Sequence, residues 1–425
     1  MGLEASIAFL GDDVRRFSDL CNELSFRISL VLSPFAVTSM LAMVFLGARG
    51  STSGQMNDVL RLDDMVTFNP HQVLQNITES VINSRNIGSS TAAFVRELYS
   101  DKVKRAQQYY DGHVEEVNFS TIGDVLRRRT NLLIKRQTLG RIPEYLRGSS
   151  LNLKPPMAAF AANIFQTDCD LASTDGRDGE MYFVVRDIDA AEEAGPVPAA
   201  VWRSGFLAGY EPGLDATAVS IGSDSVVSTI FVLPGQQGQV APGDGLARLE
   251  QRLIETSYRR GGWSRLLRSL LLRPGLEIQL PRFSHRSVLN VTSALQRMGL
   301  KDIFDSEKAD LRGLNGYTND LYLSDMVQVN TFSTCGEDAA GARHHVETYP
   351  SSPQRVGRED PEVYPIPDDL DHDIYSHLPL NLRPRQARLP DNPRLRFDRP
   401  FLYFVRHNPT GMILHVGRFN PRLLP

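Results

Sequence analysis

A strand-like run, LYLSDMVQVNTFST, is separated from two more near the C-terminal end, FLYFVRH and MILHVGRF, by a stretch that cannot form a packed element. From roughly Pro350 to Asp398 that stretch is dense in proline and shows no apolar periodicity. Its charge is divided between an acidic half, REDPEVYPIPDDLDHD, and a basic half, RPRQARLPDNPRLRFDR. Proline removes ladder donors, and a polar stretch without periodic apolar residues has no face to bury. Loops of this length between strands are functional or disordered, and here both readings apply. The fold must therefore present a long loop whose two ends are held by strands.

The rest of the chain can build such a body. It has 425 residues, 41% of them hydrophobic, so a sizeable core needs neither disulfides nor a metal. A net charge of −4, from 46 basic and 50 acidic residues, gives no basis for nucleic acid or an anionic membrane as the main partner. Cys21, Cys169 and Cys335 lie far apart, without CxxC or Cys/His spacing. They read as isolated thiols, and neither a metal nor another cofactor is expected. His344-His345 lacks convergent partners and is read as ordinary histidines.

The run from Ser29 to Ala48, SLVLSPFAVTSMLAMVFLGA, has the length of a membrane span, but Ser33, Pro34, Thr38 and Ser39 interrupt it. It reads as a strand end entering a buried helix, so no membrane span is expected. Further helices are expected over DDVRRFSDLCNELSFRI, GLARLEQRLIETSY, WSRLLRSLLL and VLNVTSALQRMGL. Strands are expected over STAAFVREL, MAAFAANIF, EMYFVV, AVWRSGF, VSTIFVL and LEIQLPRF. Helices and strands in blocks argue an α+β fold. No Gly-x-Ser-x-Gly elbow supports a hydrolase.

Four blocks, in order, resemble the serpin family. They are LSPFAVTSMLAMVFLGARGSTSGQM, TNLLIKRQTLGRIPEYL, LEIQLPRFSHRSVLNVTSALQRMGLKDIFDSEKADLRGL and FDRPFLYFVRHNPTGMILHVGRF. The resemblance covers nearly the whole chain and implies a single domain over 1–425, with helices around three β-sheets. It implies a hinge and extended reactive-centre loop over 337–399, and a protein that is not itself an enzyme. The mechanism implied by the resemblance is that a protease cleaves the loop, is held as an acyl-enzyme, and is carried off as the loop inserts into the main sheet as a new strand. By the same resemblance Ser33, Pro34, Asn131 and Gln328 belong to the shutter region, Gln328 standing where the family has a histidine and Ala36 where it has a second serine. Cys169 stands where the family has a tryptophan near the top of the sheet.

The hinge is read at Glu337, Asp338, Ala339, Ala340, Gly341 and Ala342. Alternation would turn Ala340, Ala342, His344, Val346 and Thr348 inward on insertion, and Pro350 would limit the strand. Two reactive bonds are candidates, Arg355–Val356 and Arg388–Leu389. A domain of this size is roughly 57 Å across. From Glu337, 18 residues to Arg355 span about 60 Å extended, enough to carry a protease from pole to pole. The 51 residues to Arg388 span about 170 Å and leave a slack tether. Arg355 is thus the expected trapping bond, Arg388 a substrate or processing site, and the partner a trypsin-like serine protease that reads arginine. The alternative is a non-inhibitory member whose charged Pro-rich loop is a substrate or binds a partner.

An extracellular monomer is expected, with the cytoplasm as the alternative because MGLEASIAFLGDDVRRF lacks the layout of a leader. Asn76 and Asn290 head glycosylation sequons. Arg127, Arg128, Arg129, Lys135 and Arg136 could form a glycosaminoglycan patch, although a solvated helix face is the plainer reading.

Overall fold

The computed structural model describes residues 30–60, 70–82, 87–96, 114–147, 151, 153–167, 179–183, 194–222, 225–236, 245–315, 320–334 and 394–420. The apolar run near the start divides as its polar residues dictate. Leu30–Leu32 is strand β1, and Ser33 then caps helix α1, Pro34–Phe45, its Oγ accepting the Ala36 N–H at 3.1 Å. Pro34 at the first helical position loses no bond there. Helix α1 is buried nearly all round and lies within the core. Helices α2, Gly50–Leu60, and α3, Pro70–Ile82, follow. Among the described residues no helix is long and apolar enough to cross a membrane.

Five strands form one sheet in the order β10-β11-β4-β2-β3. They are β2, Ile87–Val95; β3, Val114–Glu116; β4, Met157–Gln166; β10, Ser284–Asn290; and β11, Leu323–Ser333. The central neighbours β4 and β11 are parallel, while β10 and β2 flank them antiparallel. Helix α4, Ile122–Gln137, crosses the outer face of this sheet. Its buried Ile122, Leu126, Thr130 and Ile134 recur every fourth residue, and the three apolar ones share a core with Phe94, Phe160, Ala162, Ile164 and Val329.

The remaining described strands form a nine-stranded sheet: β5, Gly179–Phe183; β6, Ala194–Glu211; β7, Ala216–Ile221; β8, Val227–Pro234; β9, Leu271–Pro281; β12, Arg394–Arg396; β13, Phe401–His407; and β14, Ile413–Phe419, with β1 at one edge. The expected second and third sheets meet in β6. Its first part pairs with β5 and β9, its last part with β7, and its pairing with β9 shifts between Ser204 and Phe206. Helices α5, Gly245–Arg260, and α6, Gly262–Ser269, join β8 to β9.

An aromatic cluster binds the two sheets. Phe231 of β8 packs against Phe332, Phe397, Phe401 and Tyr403, and Phe332 of the smaller sheet stacks on Tyr403 at 4.0 Å. Each of these residues is at most 1% exposed, and centroid separations of this kind suit offset and edge contacts. Gly417 on β14 permits this packing, since a Cβ there would collide with the Tyr403 ring.

Three sequence expectations need correction. The helix over WSRLLRSLLL stops at Ser269, because Leu271 and Leu272 pair with Ala208 and Leu207 of β6. The helix over VLNVTSALQRMGL shrinks to α7, Thr292–Arg297, because Val288 to Asn290 complete β10 against β11. Tertiary pairing overrides helical periodicity in both cases. The tail of the 337–399 segment is not all loop: Arg394–Arg396 is β12, parallel to β9, with Leu395 and Phe397 buried. The helix read over DDVRRFSDLCNELSFRI lies outside the described residues.

Candidate functional site

The parallel seam between β4 and β11 runs from Met157–Leu323 to Gln166–Ser333, and Asn163 faces Asn330 directly across it. On the inner face, toward α1, the seam is closed by a chain of uncharged hydrogen bonds. Ser89 Oγ donates to Asn163 Oδ1 at 2.8 Å, Asn163 Nδ2 to Asn330 Oδ1 at 2.9 Å, and Asn330 Nδ2 to Gln328 Oε1 at 2.6 Å. The same Gln328 oxygen accepts the Ser33 N–H at 3.0 Å, and Ser33 Oγ donates to the Leu414 carbonyl at 2.7 Å. One network thus joins β2, β4, β11, the cap of α1 and β14. Gln328 Nε2 is buried without a partner. Buried amides gain strength from the low dielectric and cost most when one member is lost.

On the outer face Tyr145 fastens the same seam. Its hydroxyl lies 2.9 Å from the Asn163 carbonyl, 3.2 Å from that of Val329 and 2.9 Å from Thr331 Oγ1. Burial pushes the phenol up to about 12 against the pull of Arg286 and the Thr331 bond, so it stays a donor through the physiological range. Asn131 on α4 holds this segment in place: Oδ1 accepts the N–H groups of Tyr145 and Leu146, and Nδ2 donates to the Leu146 carbonyl.

At the upper end Thr167 N–H donates to Ser333 O at 3.0 Å, and Thr334 Oγ1 accepts the Phe283 N–H at 2.8 Å. Below the inner network lies a cavity of about 20 Å³, room for one water, bordered by Ser33, Ser89, Asn163 and His415. His415 Nδ1 has no hydrogen-bond partner, and burial pulls the ring down to about 3, so it is neutral there.

The structure brings Ser33, Pro34, Asn131 and Gln328 together around this seam. Glu337, Asp338, Ala339, Ala340, Gly341, Ala342, Arg355, Val356, Arg388, Leu389 and Cys169 lie outside the described residues. Sequence reading missed Asn163, Asn330 and Tyr145. Period-two spacing puts Gln328 and Asn330 on one strand face, and an asparagine inside MAAFAANIF was a usable signal. The basic run of α4 splits: Arg129 pairs with Glu115 and Arg127 with Asp124, while Arg128, Lys135 and Arg136 face solvent. Asn76 is exposed on α3, whereas the Asn290 amide donates to Asp325 at 3.2 Å.

The family model described as serpin (serine protease inhibitor) matches residues 19–421. The chain belongs to the serpin family. This serpin is 26% identical to a leukocyte elastase inhibitor of Bos taurus over 412 residues, covering 92% of this chain and 93% of the relative. It is 25% identical to ovalbumin-related protein Y of Gallus gallus over 410 residues, covering 92% of each. Among solved structures it is similar to native protease nexin-1 with heparin, with a TM-score of 0.70, 19% identity, and coverage of 99% of this serpin and 100% of that chain. Uncleaved ovalbumin gives a TM-score of 0.66 at 21% identity, covering 98% and 99%. The α+β serpin fold is thereby established.

Proposed function

We propose that this serpin inhibits a serine protease by inserting its cleaved loop along the β4–β11 seam. The observation that carries this reading is the parallel pairing of those two strands. A segment that leaves the end of β11 and turns back runs antiparallel to β11, and therefore antiparallel to β4 as well. Between them it would exchange one parallel ladder for two antiparallel ones, a net gain in backbone pairing. What opposes entry midway along the seam is an uncharged network of exchangeable hydrogen bonds, with one apolar contact, the Phe165–Phe332 stack at 5.7 Å, beyond it toward the end of β11. Such a barrier yields to local opening and leaves no buried charge behind.

The target we assign is trypsin-like, with Arg355–Val356 as the trapping bond and Arg388–Leu389 as a substrate site. The reach of about 60 Å to Arg355 supports that choice. Relatives named for elastase make an elastase, whose specificity pocket is small, the natural comparison enzyme. The same reading places the protein outside the cell as a glycosylated monomer, the exposed Asn76 being the favoured attachment site.

The test mixes the secreted protein with trypsin-like proteases and elastases, resolves products on a denaturing gel, and maps the cut by mass spectrometry. A heat-stable complex ending at Arg355 is the expected result. Quantitative cleavage without any complex would overturn trapping and leave a loop that serves as substrate or binding element. Loss of mass on removal of N-glycans, abolished by Asn76→Gln, is expected of the secreted form.

A further inference from the structure

Three arginines from three different segments line one cleft on the outer face of the five-stranded sheet: Arg127 of α4, Arg147 just beyond the Tyr145 latch, and Arg286 of β10. The cleft has a volume of about 40 Å³, space for about three waters, and reaches the first turn of α4 at Gly123. Its charge is poorly matched. Arg127 has an exposed partner in Asp124 at 3.3 Å, and Arg147 makes no ion pair among the described residues. The Arg286 guanidinium sits 5.2 Å from the Tyr145 ring centroid. The Nε atoms of Arg127 and Arg286 are both buried without an acceptor. Three arginines lining one pocket at a helix start, the exposed Arg147 among them, suit a tetrahedral oxyanion, which accepts forked hydrogen bonds from several directions.

We propose that this cleft binds a phosphate or sulfate group, and that the bound anion clamps the seam shut. The coupling follows from what each arginine is attached to. Helix α4 is anchored by polar contacts to one half of the sheet, to β3 by Arg129–Glu115 and to β2 by Gln137, whose Oε1 accepts the Ser89 N–H at 2.6 Å. Strand β10 belongs to the other half, paired along its length with β11. An oxyanion held jointly by Arg127 and Arg286 therefore spans the β4–β11 line, and Arg147 adds the latch segment to the same clamp. Opening the seam would have to break that bridge. This coupling rests on the insertion reading above, whereas the anion site itself does not.

The experiment has two arms. Thermal unfolding is followed in inorganic phosphate, inorganic sulfate and N-acetylglucosamine 6-sulfate, each against chloride at matched ionic strength. The oxyanions are expected to raise the midpoint beyond chloride, and Arg147→Ala and Arg286→Gln to abolish the difference. Arg128→Ala, on the same helix but off the cleft, should keep it. Tighter binding of the sulfated sugar would identify a sugar-borne sulfate as the source, and equal binding a free anion. A midpoint that follows ionic strength alone, or an oxyanion response that Arg128→Ala abolishes as fully as Arg286→Gln does, overturns the site. In the second arm, uptake of a labelled peptide copying residues 337–349 should slow about fivefold or more under saturating sulfate, the low end of ordinary coupling between sites. Unchanged uptake with intact sulfate binding overturns the clamp. No uptake in any salt counts against the insertion reading, while the thermal arm still decides the site.

Discussion

Two interiors of this molecule are closed by different chemistry. Around Phe231, the junction of the two sheets is an aromatic cluster with four ring neighbours of that residue. Midway along β4 and β11 the inner face instead carries Asn163, Gln328 and Asn330, each at most 2% exposed and joined side chain to side chain, and only toward the end of β11 does the Phe165–Phe332 stack bring the seam into the aromatic cluster. Apolar packing is non-directional and is lost only by exposing area, whereas a hydrogen bond can be handed to a new partner at little net cost. The contrast separates a junction built to stay closed from a seam built to be re-paired.

The largest effect is expected at the junction. Phe231→Ala should cost about 3–5 kcal/mol, measured by denaturant midpoint, with little selective effect on peptide uptake at the seam. A selective acceleration of uptake would break the distinction. Asn163→Ala should cost about 1–3 kcal/mol by leaving Asn330 Oδ1 without its donor, and should accelerate uptake. A double-mutant cycle with Asn330→Ala should show coupling of about 0.5–3 kcal/mol, and strict additivity would deny the network.

Next comes acid, acting at His415 on β14, which borders the cavity beside the seam. The unfolded imidazole takes its proton near pH 6.5, the buried one only near about 3. Between those values the unfolded state binds more protons, so stability falls as pH drops, by up to about 1.4 kcal/mol per unit, and levels off below about 3. Buried His71 and His407 act in the same direction, while Glu250, raised by burial against the pull of Arg418, acts in the opposite one. The difference between His415→Phe and wild type across pH 6.5 to 5 isolates the single site. An unchanged slope would exclude His415. The smallest effect is expected for Tyr145→Phe, about 1 kcal/mol, flat with pH to about 9 and shrinking above that as the unfolded phenol ionises, and read best as faster peptide uptake.

Much of the fold could be read in the residues themselves. SPFAVTSM announced a capped buried helix because serine and proline have definite places at a helix start, and FLYFVRH-NPTG-MILHVGRF announced a hairpin. The site was legible only in part. Gln328 and Asn131 were found through resemblance, but Asn163 and Tyr145 matter because β4 lies beside β11, a neighbour relation between segments about 170 residues apart. Periodicity carries no information of that kind. It also overran at Leu271 and Val288, where a waiting strand partner outweighed a helical pattern.

The far end of the loop segment is anchored deeply: beyond Arg394 the chain supplies β12, β13 and β14, with β13 between β8 and β14 in the nine-stranded sheet. A cut anywhere between Thr334 and Arg394 therefore yields a two-chain protein. The short C-terminal piece, carrying Phe397, Phe401 and Tyr403 into the aromatic cluster, becomes a subunit that completes the core of the longer chain.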